Sequence, residues 1–555
     1  MLYFIPAWYL ENSWREDEQF WYRRRTKSET DDTVKQIRLF QRNSICEYKI
    51  LLLSHAPNLR HFLHRQGIFR VPYWSVFDAI QEVRRKKQAV LSFHNLAWPE
   101  DTEFLYTPFS ILAKRNHKRY ANIEFGEYGN PIQIDLYQNG EISRKNIYDD
   151  RGFISCTSVY EKGKKSYDQY LTEKGLWKLC HFADGHVVVN PKSNQYLIGA
   201  AEGEERFPFA KGTYGSMDEV IEEVLAAFLR TTRSRDIFCA AAHRRHLALL
   251  DGLLADRKKI FSIFEHRLAF DHDLQAMEIL SHGDCIITDS EENLGILSGE
   301  KRLENTARLH IPPYDARVEP GISQQLRIQK ILFPVDHLPA ETLETAVTYM
   351  AAYLERNRKA RVHLFTRNMS FGRDDELLAQ VSEILERNGY PPEWAGKEEQ
   401  DEPEVIPEQK DRIPILFVVE QCVDELAVNK CVREQRLLVD LADRPDLFLQ
   451  ILCVSTGVPQ ILKTANQYMQ PGKNGRINRD LSGLGEDLAY YLESLSNWNQ
   501  AAIRSYELGK TYTTQNLIDL WKEVIAHIEG GTGITAGKDR FWQNDADIGS
   551  CGVEL

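Results

Sequence analysis

Two short stretches near the carboxyl-terminal end of the chain have the residue types of a ligand-binding corner. The first is Ser-Thr-Gly-Val-Pro-Gln-Ile at residues 455–461, and the second is Pro-Gly-Lys-Asn-Gly-Arg-Ile at residues 471–477. The apolar run 447–454 leads into the first stretch, and a new extended segment begins after it because Pro459 has no amide to donate to a central strand. Backbone amides at such a corner can face a phosphate group. The sequence therefore predicts a ligand pocket that contains Ser455, Thr456, Gly457, Asn474 and Gly475.

This pair of stretches resembles the second Rossmann-like domain of sugar-nucleotide transferases of the GT-B fold. In that domain, backbone amides at helix starts face the nucleotide diphosphate. Retaining enzymes of this class usually carry two glutamates before the corner, one near the donor sugar and one on the ribose hydroxyls. Aligned on Gly457, these positions fall at Arg444 and Leu452, and neither is acidic. The donor-site carboxylates that the resemblance implies are therefore missing.

The phosphate-binding cations expected from this resemblance are also replaced. Such transferases use an Arg and a Lys after the domain's first strand, but residues 335–341 are Val-Asp-His-Leu-Pro-Ala-Glu. Asp336 has the wrong charge for a phosphate contact, and that contact usually supplies a large part of the catalysis. We therefore interpret the pocket as vestigial and the chain as a pseudo-glycosyltransferase without catalytic residues. An active retaining glycosyltransferase that uses a sugar nucleotide is the alternative.

The other chemical motifs of the chain are weaker. His243 and His246 are three residues apart on a predicted helix, as are His61 and His64, but neither pair has a nearby cysteine or carboxylate to complete a metal site. Residues 531–539 contain patterns similar to a dinucleotide-binding loop and a P-loop, yet no strand precedes them and an aspartate replaces the magnesium-binding Ser or Thr. The sequence predicts no metal and no cofactor.

Composition restricts the class of protein. The 555 residues carry a net charge of -12, which argues against a general nucleic-acid-binding protein because such proteins need a basic surface. Nine cysteines without a Cys-x-x-Cys pair fit neither a disulfide framework nor a zinc site, and they suit a reducing cytosol. No run approaches the roughly 18 apolar residues of a membrane span, and the first residues lack the features of a secretory signal. We expect a cytoplasmic protein.

Strands and helices alternate at both ends of the chain, which predicts parallel sheets. A helix is predicted after Asp31 and Asp32, a second from Phe77 to the basic run 84–87, and a third after Ser216, with Glu219 completing a capping box. A final helix from Thr513 carries one wide apolar face. Predicted strands of the first sheet are 3–5, 50–53, 237–241, 260–264, 286–289 and 308–311, and those of the second are 331–334, 362–365, 415–419 and 449–454.

Between these regions, residues 104–199 consist of short alternating runs with hairpin signals such as Asn139-Gly140, which predict an antiparallel sheet. The predicted fold class is α/β and GT-B-like, with two Rossmann-like domains and an inserted antiparallel β-sheet domain. The predicted segments are 1–103 and 216–320 for the first Rossmann-like domain, 104–215 for the insertion, 321–512 for the second Rossmann-like domain, 513–528 for a helix that crosses back to the first domain, and 529–555 for a flexible tail. The acidic segment 397–412 is predicted to be a surface loop.

Further stretches resemble one particular family, the glycosyltransferase-like Asp proteins of the accessory Sec system of Gram-positive bacteria. The matching stretches are residues 1–9, 31–36, 62–66, 76–78, 80–81 and 148–155. The resemblance implies a non-catalytic cytosolic component that forms a complex with two other accessory Sec Asp proteins. The resemblance further implies that this complex acts together with the accessory Sec motor ATPase in the export of glycosylated serine-rich adhesins. It also implies weak carbohydrate binding. Peripheral membrane contact at the inner face of the membrane, through the basic runs 23–25 or 84–87, is a further hypothesis.

Overall fold

The computed structural model describes residues 1–11, 13–16, 20, 31–200, 203–268, 273–397, 414–422 and 424–530. Strands β1–β25 and helices α1–α14 are numbered in chain order. The basic run 23–25, most of the acidic segment 397–412 and the motifs at 531–539 lie outside these ranges. Within them, no helix combines the length and the hydropathy needed to cross a membrane.

In the described residues, the first sheet has seven parallel strands in the order β19-β18-β17-β16-β1-β2-β3. These are β1 (Leu2–Ile5), β2 (Tyr48–Leu52), β3 (Tyr73–Ser75), β16 (Ile237–Ala241), β17 (Lys258–Ile263), β18 (Cys285–Thr288) and β19 (Ala307–His310). Its helices are α1 (Asp32–Asn43), α2 (Leu59–Arg65), α3 (Val76–Ile80), α4 (Met217–Leu229), α5 (Leu247–Leu253), α6 (Leu274–Ser281) and α7 (Glu291–Ser298). The predicted cap at Ser216 is confirmed, since its side chain accepts a bond from a backbone amide three residues further along α4. Asp31 caps α1 in the same way.

An antiparallel sheet of ten strands is inserted after β3, in the order β15-β12-β11-β10-β9-β8-β7-β6-β5-β4. The strands are β4 (Glu103–Tyr106), β5 (Ile111–Arg115), β6 (Lys118–Phe125), β7 (Pro131–Gln138), β8 (Glu141–Asp149), β9 (Phe153–Glu161), β10 (Lys164–Leu171), β11 (Trp177–Phe182), β12 (Val187–Val189) and β15 (Thr213–Tyr214). A separate hairpin consists of β13 (Gln195–Ala200) and β14 (Gly203–Pro208). The hairpin turn predicted at Asn139-Gly140 is confirmed, because both residues have positive φ angles, 53° and 84°.

The second parallel sheet has six strands in the order β22-β21-β20-β23-β24-β25. They are β20 (Gln329–Pro334), β21 (Ala360–Thr366), β22 (Phe417–Gln421), β23 (Leu437–Asp440), β24 (Gln460–Leu462) and β25 (Gly475–Ile477). The helices around it are α8 (Ala340–Arg356), α9 (Arg373–Arg387), α10 (Glu425–Glu434), α11 (Leu447–Thr456), α12 (Leu484–Leu492) and α13 (Leu495–Gly509). We call the units built on the two parallel sheets the first and second Rossmann-like domains.

The last helix, α14 (Thr514–Ile528), returns to the first domain as predicted. Thr513 caps it, and the fully buried Trp521 packs edge-on against Phe4 of β1 and Phe40 of α1, with ring centroids 6.2 and 5.0 Å apart. Large apolar side chains of α14 and β1 thus share one core. The first domain is therefore completed by the carboxyl-terminal part of the chain.

A buried ion network joins the inserted sheet to the first domain. Arg151, in the turn between β8 and β9, donates two hydrogen bonds to Asp78 of α3, at 2.7 and 2.9 Å, and two to Asp149, both at 2.7 Å. Arg60 of α2 pairs with Asp150 and lies 3.3 Å from Asp149. All five residues except Asp78 are buried. Buried charges are tolerated only when they are paired. Since these pairs join the turn between β8 and β9 to α2 and α3, the network fixes the position of the inserted sheet.

Two predicted elements are wrong. Residues 449–454, predicted as a strand, lie in α11, and the strand at this place in the sheet is β23. The helix predicted from Phe77 to the basic run 84–87 ends at Ile80, because Glu82 has a φ of 52° and cannot continue a right-handed helix. The proposed domain boundaries themselves stay a prediction.

Candidate functional site

The predicted corner is the turn from α11 into β24. Gly457 follows the last residue of the helix with φ 76° and ψ 24°, and its amide donates to the carbonyl of Cys453. This left-handed conformation ends the helix, and Val458 then starts toward β24. The corner therefore lies at the amino end of a strand, whereas open parallel sheets bind ligands at the carboxyl ends of their strands.

The polar groups of the corner contact the linker between the two domains. The amide of Arg317 donates to Ser455 Oγ at 3.2 Å, and the amide of Glu319 donates to the Ser455 carbonyl at 3.0 Å. The amide of Gly321 donates to the carbonyl of Thr456 at 3.0 Å. These bonds use groups that a ligand would need, so they favour a structural role for Ser455 and Thr456.

Asn474 and Gly475 also make contacts within the domain. Asn474 is buried; its Nδ2 donates to the Tyr468 carbonyl at 3.0 Å, and its Oδ1 accepts from the Gln470 amide at 2.7 Å. Gly475 pairs with Gln460 at the amino ends of β25 and β24. A side-chain carbon at Gly475 would lie 2.6 Å from the Gln460 carbonyl oxygen, so only glycine fits there. Assignment of the five residues to a ligand pocket stays a prediction, and their geometry favours packing of the chain.

Gly457 provides a test of this packing. In a Gly457→Ala variant, the added carbon would lie 2.5 Å from Tyr506 Oη, which donates to the Thr456 carbonyl. We expect a loss of about 2–4 kcal/mol in the stability of the second domain, from the left-handed backbone and the clash together. Chemical denaturation measures it.

Gly372→Ala is the matched control for this variant. Gly372 has a φ of 79°, but a side-chain carbon there would meet no heavy atom within 4 Å. We expect only the backbone cost, about 1–2 kcal/mol. Equal losses in the two variants would contradict the contribution of Tyr506.

The carboxyl edge of the second sheet, where open parallel sheets bind ligands, carries acidic groups. Asp446 accepts from the amides of Phe448 and Leu449, both at 3.0 Å, and thereby caps the amino terminus of α11. Its other oxygen pairs with Arg367 at 3.0 Å. Asp336 accepts from the Arg367 amide at 2.7 Å. Because the amino terminus of α11 already binds a carboxylate of the chain, its amides are not available to a phosphate.

Further carboxylates make this edge unfavourable for an anion. Burial, followed by repulsion from Asp446, raises the pKa of Asp440 to about 7. In the first domain, after β17, loss of solvent and then repulsion from Asp446 and Asp289 raise the pKa of Glu265 to about 7, although more than one third of this residue is exposed. A negatively charged diphosphate would increase this repulsion.

The two positions expected to hold catalytic glutamates differ in environment. Arg444 is exposed in the loop between β23 and α11. Leu452 is 8% exposed on α11, and together with Ser455 it lines a cavity of about 610 Å³ between the domains. Neither position offers a carboxylate to a sugar or a ribose. The alternative of an active retaining transferase therefore has no acid at either place.

The same cavity is bordered by ion pairs between the two domains. Glu425, at the start of α10, accepts from Arg38 of α1 at 2.8 and 3.1 Å and also pairs with Lys35. Lys35 Nζ lies 5.1 Å from the ring centre of Tyr314 and 5.2 Å from that of Phe448. Burial lowers the pKa of Lys35 to about 8, and Glu425 acts against this lowering. We call Lys35, Arg38 and Glu425 the interdomain clamp.

The histidines singled out in the sequence have ordinary structural contacts. His246 is buried; its Nδ1 lies 2.8 Å from Tyr9 Oη, and its Nε2 lies 2.6 Å from the Ala241 carbonyl oxygen. Both ring nitrogens are thus used. His64 Nδ1 lies 3.1 Å from Tyr128 Oη, and the His61 ring stacks on the same tyrosine with centroids 4.8 Å apart.

Comparison with known proteins gives one consistent result. A family model described as Asp protein 1 of the accessory Sec system matches residues 1–527. A Streptococcus gordonii protein with the same description is 31% identical over 533 residues, which are 94% of this chain and 98% of that protein. The similarity thus extends over nearly the whole of both chains.

Two solved structures place the fold. A chain in the Streptococcus pneumoniae structure of accessory secretory proteins 1, 2 and 3 matches with a TM-score of 0.77 and 28% identity, over 96% of this chain and all of that one (100%). The pneumococcal O-GlcNAc transferase GtfA, solved with UDP and GlcNAc, matches with a TM-score of 0.69 over 95% of this chain and 99% of its own. At 9% identity, this second match shows only the fold. The predicted GT-B-like architecture is confirmed.

Proposed function

This chain belongs to the family of Asp protein 1 of the accessory Sec system, and on that premise we propose that it is a pseudo-glycosyltransferase within the export machinery. The observation that carries the proposal is the capping of α11 by Asp446, together with Asp336 and the acids around it. A transferase would need cations and free amides at this edge. The retained GT-B-like fold then serves as a scaffold for protein contacts.

The proposed partners are two other accessory Sec Asp proteins. Support comes from the Streptococcus pneumoniae structure, which contains accessory secretory proteins 1, 2 and 3 and matches 96% of this chain. We propose that the resulting complex acts in the cytoplasm and delivers glycosylated serine-rich adhesins to the accessory Sec motor ATPase. Weak carbohydrate binding by this chain belongs to the same proposal.

Co-expression tests the proposed assembly. The chain is produced with the two other Asp proteins of its own system, and the complex is sized by light scattering after gel filtration. We expect one species that contains all three chains. Separate elution of this chain at concentrations well above micromolar would contradict the proposal.

The absence of transferase activity is a separate prediction. Purified protein is titrated calorimetrically with UDP, UDP-glucose and UDP-N-acetylglucosamine, and release of UDP is followed in a coupled assay. We expect no release above the enzyme-free blank, since the leaving group would meet the carboxylates of Asp336 and Asp446, and the guanidinium of Arg367 beside them is already paired with Asp446. An active GT-B transferase is the positive control. Turnover by this chain would overturn the pseudoenzyme proposal and support the alternative.

Contact with the inner face of the membrane stays a prediction. In the part of the chain that the structure describes, the run 84–87 is exposed, but Arg84 pairs with Glu204 and Arg85 with Glu173. These pairs reduce the charge that is free for anionic lipids. Salt-sensitive binding to anionic vesicles would support membrane contact, and absence of binding at low salt would exclude it.

A further inference from the structure

One carboxylate and two thiols meet where β22 leads into α10. Glu420 lies on β22, Cys422 follows the strand, and Cys431 lies on the helix. One ligand atom from each of the three side chains lies within 4.8 Å of the other two. Cys422 Sγ is 4.0 Å from Glu420 Oε1. The fold thus brings together three groups that bind borderline-soft metal ions.

The spacing of these atoms suits a tetrahedral ion. Zinc sites have Zn–S distances of about 2.3 Å and Zn–O distances of about 2.0–2.2 Å, so neighbouring ligand atoms lie roughly 3.5–3.8 Å apart. The contact of 4.0 Å between Cys422 and Glu420 is close to this value. The other pairs of ligand atoms lie within 4.8 Å, so side-chain shifts of about 1 Å would bring them to these distances.

Neighbouring side chains orient two of the three ligands. His363 of β21 is 3% exposed, and its Nδ1 lies 3.3 Å from Glu420 Oε2, so that Oε1 remains directed toward Cys422. Gln435 is 1% exposed, and its Nε2 donates to the Cys431 carbonyl at 3.0 Å and contacts Cys431 Sγ at 3.6 Å. Such outer contacts hold metal ligands in position in known sites.

The environment permits entry of an ion from one side. Both cysteines are buried, whereas 35% of the Glu420 side chain is exposed. A solvent molecule on this side can supply a fourth ligand. The two thiols would lose their protons on binding, so affinity should increase with pH.

We propose that Glu420, Cys422 and Cys431 bind one Zn²⁺ ion, with water as the fourth ligand, in a structural site that ties β22 to α10. The helix also carries Glu425, which belongs to the interdomain clamp. Zinc would thereby strengthen the framework from which Glu425 reaches the first domain. This role does not depend on partners or on transferase activity.

Metal titration of the full chain tests the proposal. The reduced protein is freed of metal with a chelator and titrated with Zn²⁺ in competition with a chromophoric chelator, and with Co²⁺ under an absorption spectrometer. We expect one ion per chain and a thiolate-to-Co²⁺ charge-transfer band. Cys431→Ser and Cys422→Ser should each weaken Zn²⁺ binding at least a hundredfold, and His363→Ala about ten- to a hundredfold.

Cys46→Ser is the control, because Cys46 is a partly buried cysteine outside the cluster. It should bind like the unmodified chain. Absence of the Co²⁺ band in the folded, reduced protein would overturn the proposal, as would unchanged affinity in both cysteine variants. If the serine variants fail to fold, the band in the unmodified chain and a weaker affinity for Co²⁺ in Glu420→Gln still decide the matter.

Discussion

Replacing Arg151 by methionine is expected to accelerate hydrogen exchange in β8 and β9 by a hundredfold to a few thousandfold. Methionine keeps the apolar stem but removes four hydrogen bonds to Asp78 and Asp149. Asp149, 3% exposed, would then keep Arg60 as its charged partner among the residues that the structure describes. Breaking one side of a buried ion pair costs about 3–5 kcal/mol, which corresponds to this change in the opening equilibrium.

The control for this variant is Arg144→Met on the same sheet. Arg144 is an exposed residue of β8, so its replacement should change the exchange rates less than about threefold. A double variant with Asp149→Asn separates the pair from general damage, because its cost should be less than the sum of the two single costs. Additive effects would contradict coupling between Arg151 and Asp149.

Replacing Glu425 by glutamine is expected to loosen the contact between the two domains. Lys35 and Arg38 would lose the negative charge that they share. The loss is costly because their side chains are only 10% and 21% exposed, so water cannot replace the carboxylate. Loss of one partner from a partly buried, hydrogen-bonded charge pair costs about 2 kcal/mol or more, equivalent to a shift of roughly thirtyfold toward open arrangements. Small-angle X-ray scattering should show a larger radius of gyration, and amides in α1 and α10 should exchange faster.

Glu434→Gln is the matched control for the interdomain clamp. Glu434 ends the same helix, and its partner Lys330 belongs to the same domain. We expect unchanged scattering for this variant. The Glu425→Gln variant should also lower the pKa of Lys35 below about 8, because burial would then act without the opposing carboxylate. Identical scattering profiles for both variants would contradict a role for Glu425 in domain closure.

The overall architecture could be predicted from the sequence more accurately than the positions of some individual strands and helices. Alternation of apolar and polar residues identified the inserted sheet, since each half-buried strand leaves a period of two. Residues 447–456 are apolar without such a period and are buried almost throughout, so periodicity could not separate a buried helix from a buried strand. The sequence pattern predicts no strand at β23, because a run of only four residues is too short to show a period.

The sites were predicted less well because they depend on contacts between distant segments. The replacement of glutamates at Arg444 and Leu452 was visible in the sequence. The capping of α11 by Asp446 could not be predicted from the sequence, because it depends on the residue at which the helix begins. Cys422 and Cys431 match no metal-binding pattern by their spacing, and a strand end and a helix had to be placed side by side before they met.

The return of α14 to the first domain has a consequence for synthesis of the protein on the ribosome. β1 lies in the middle of its sheet, but its neighbour β16 and the packing helix α14 are made much later than β1 itself. The inserted sheet pairs mostly consecutive strands and can therefore form hairpin by hairpin while translation continues. The core around β1 must wait until α14 has been made, and its exposed apolar strands need protection by chaperones until then.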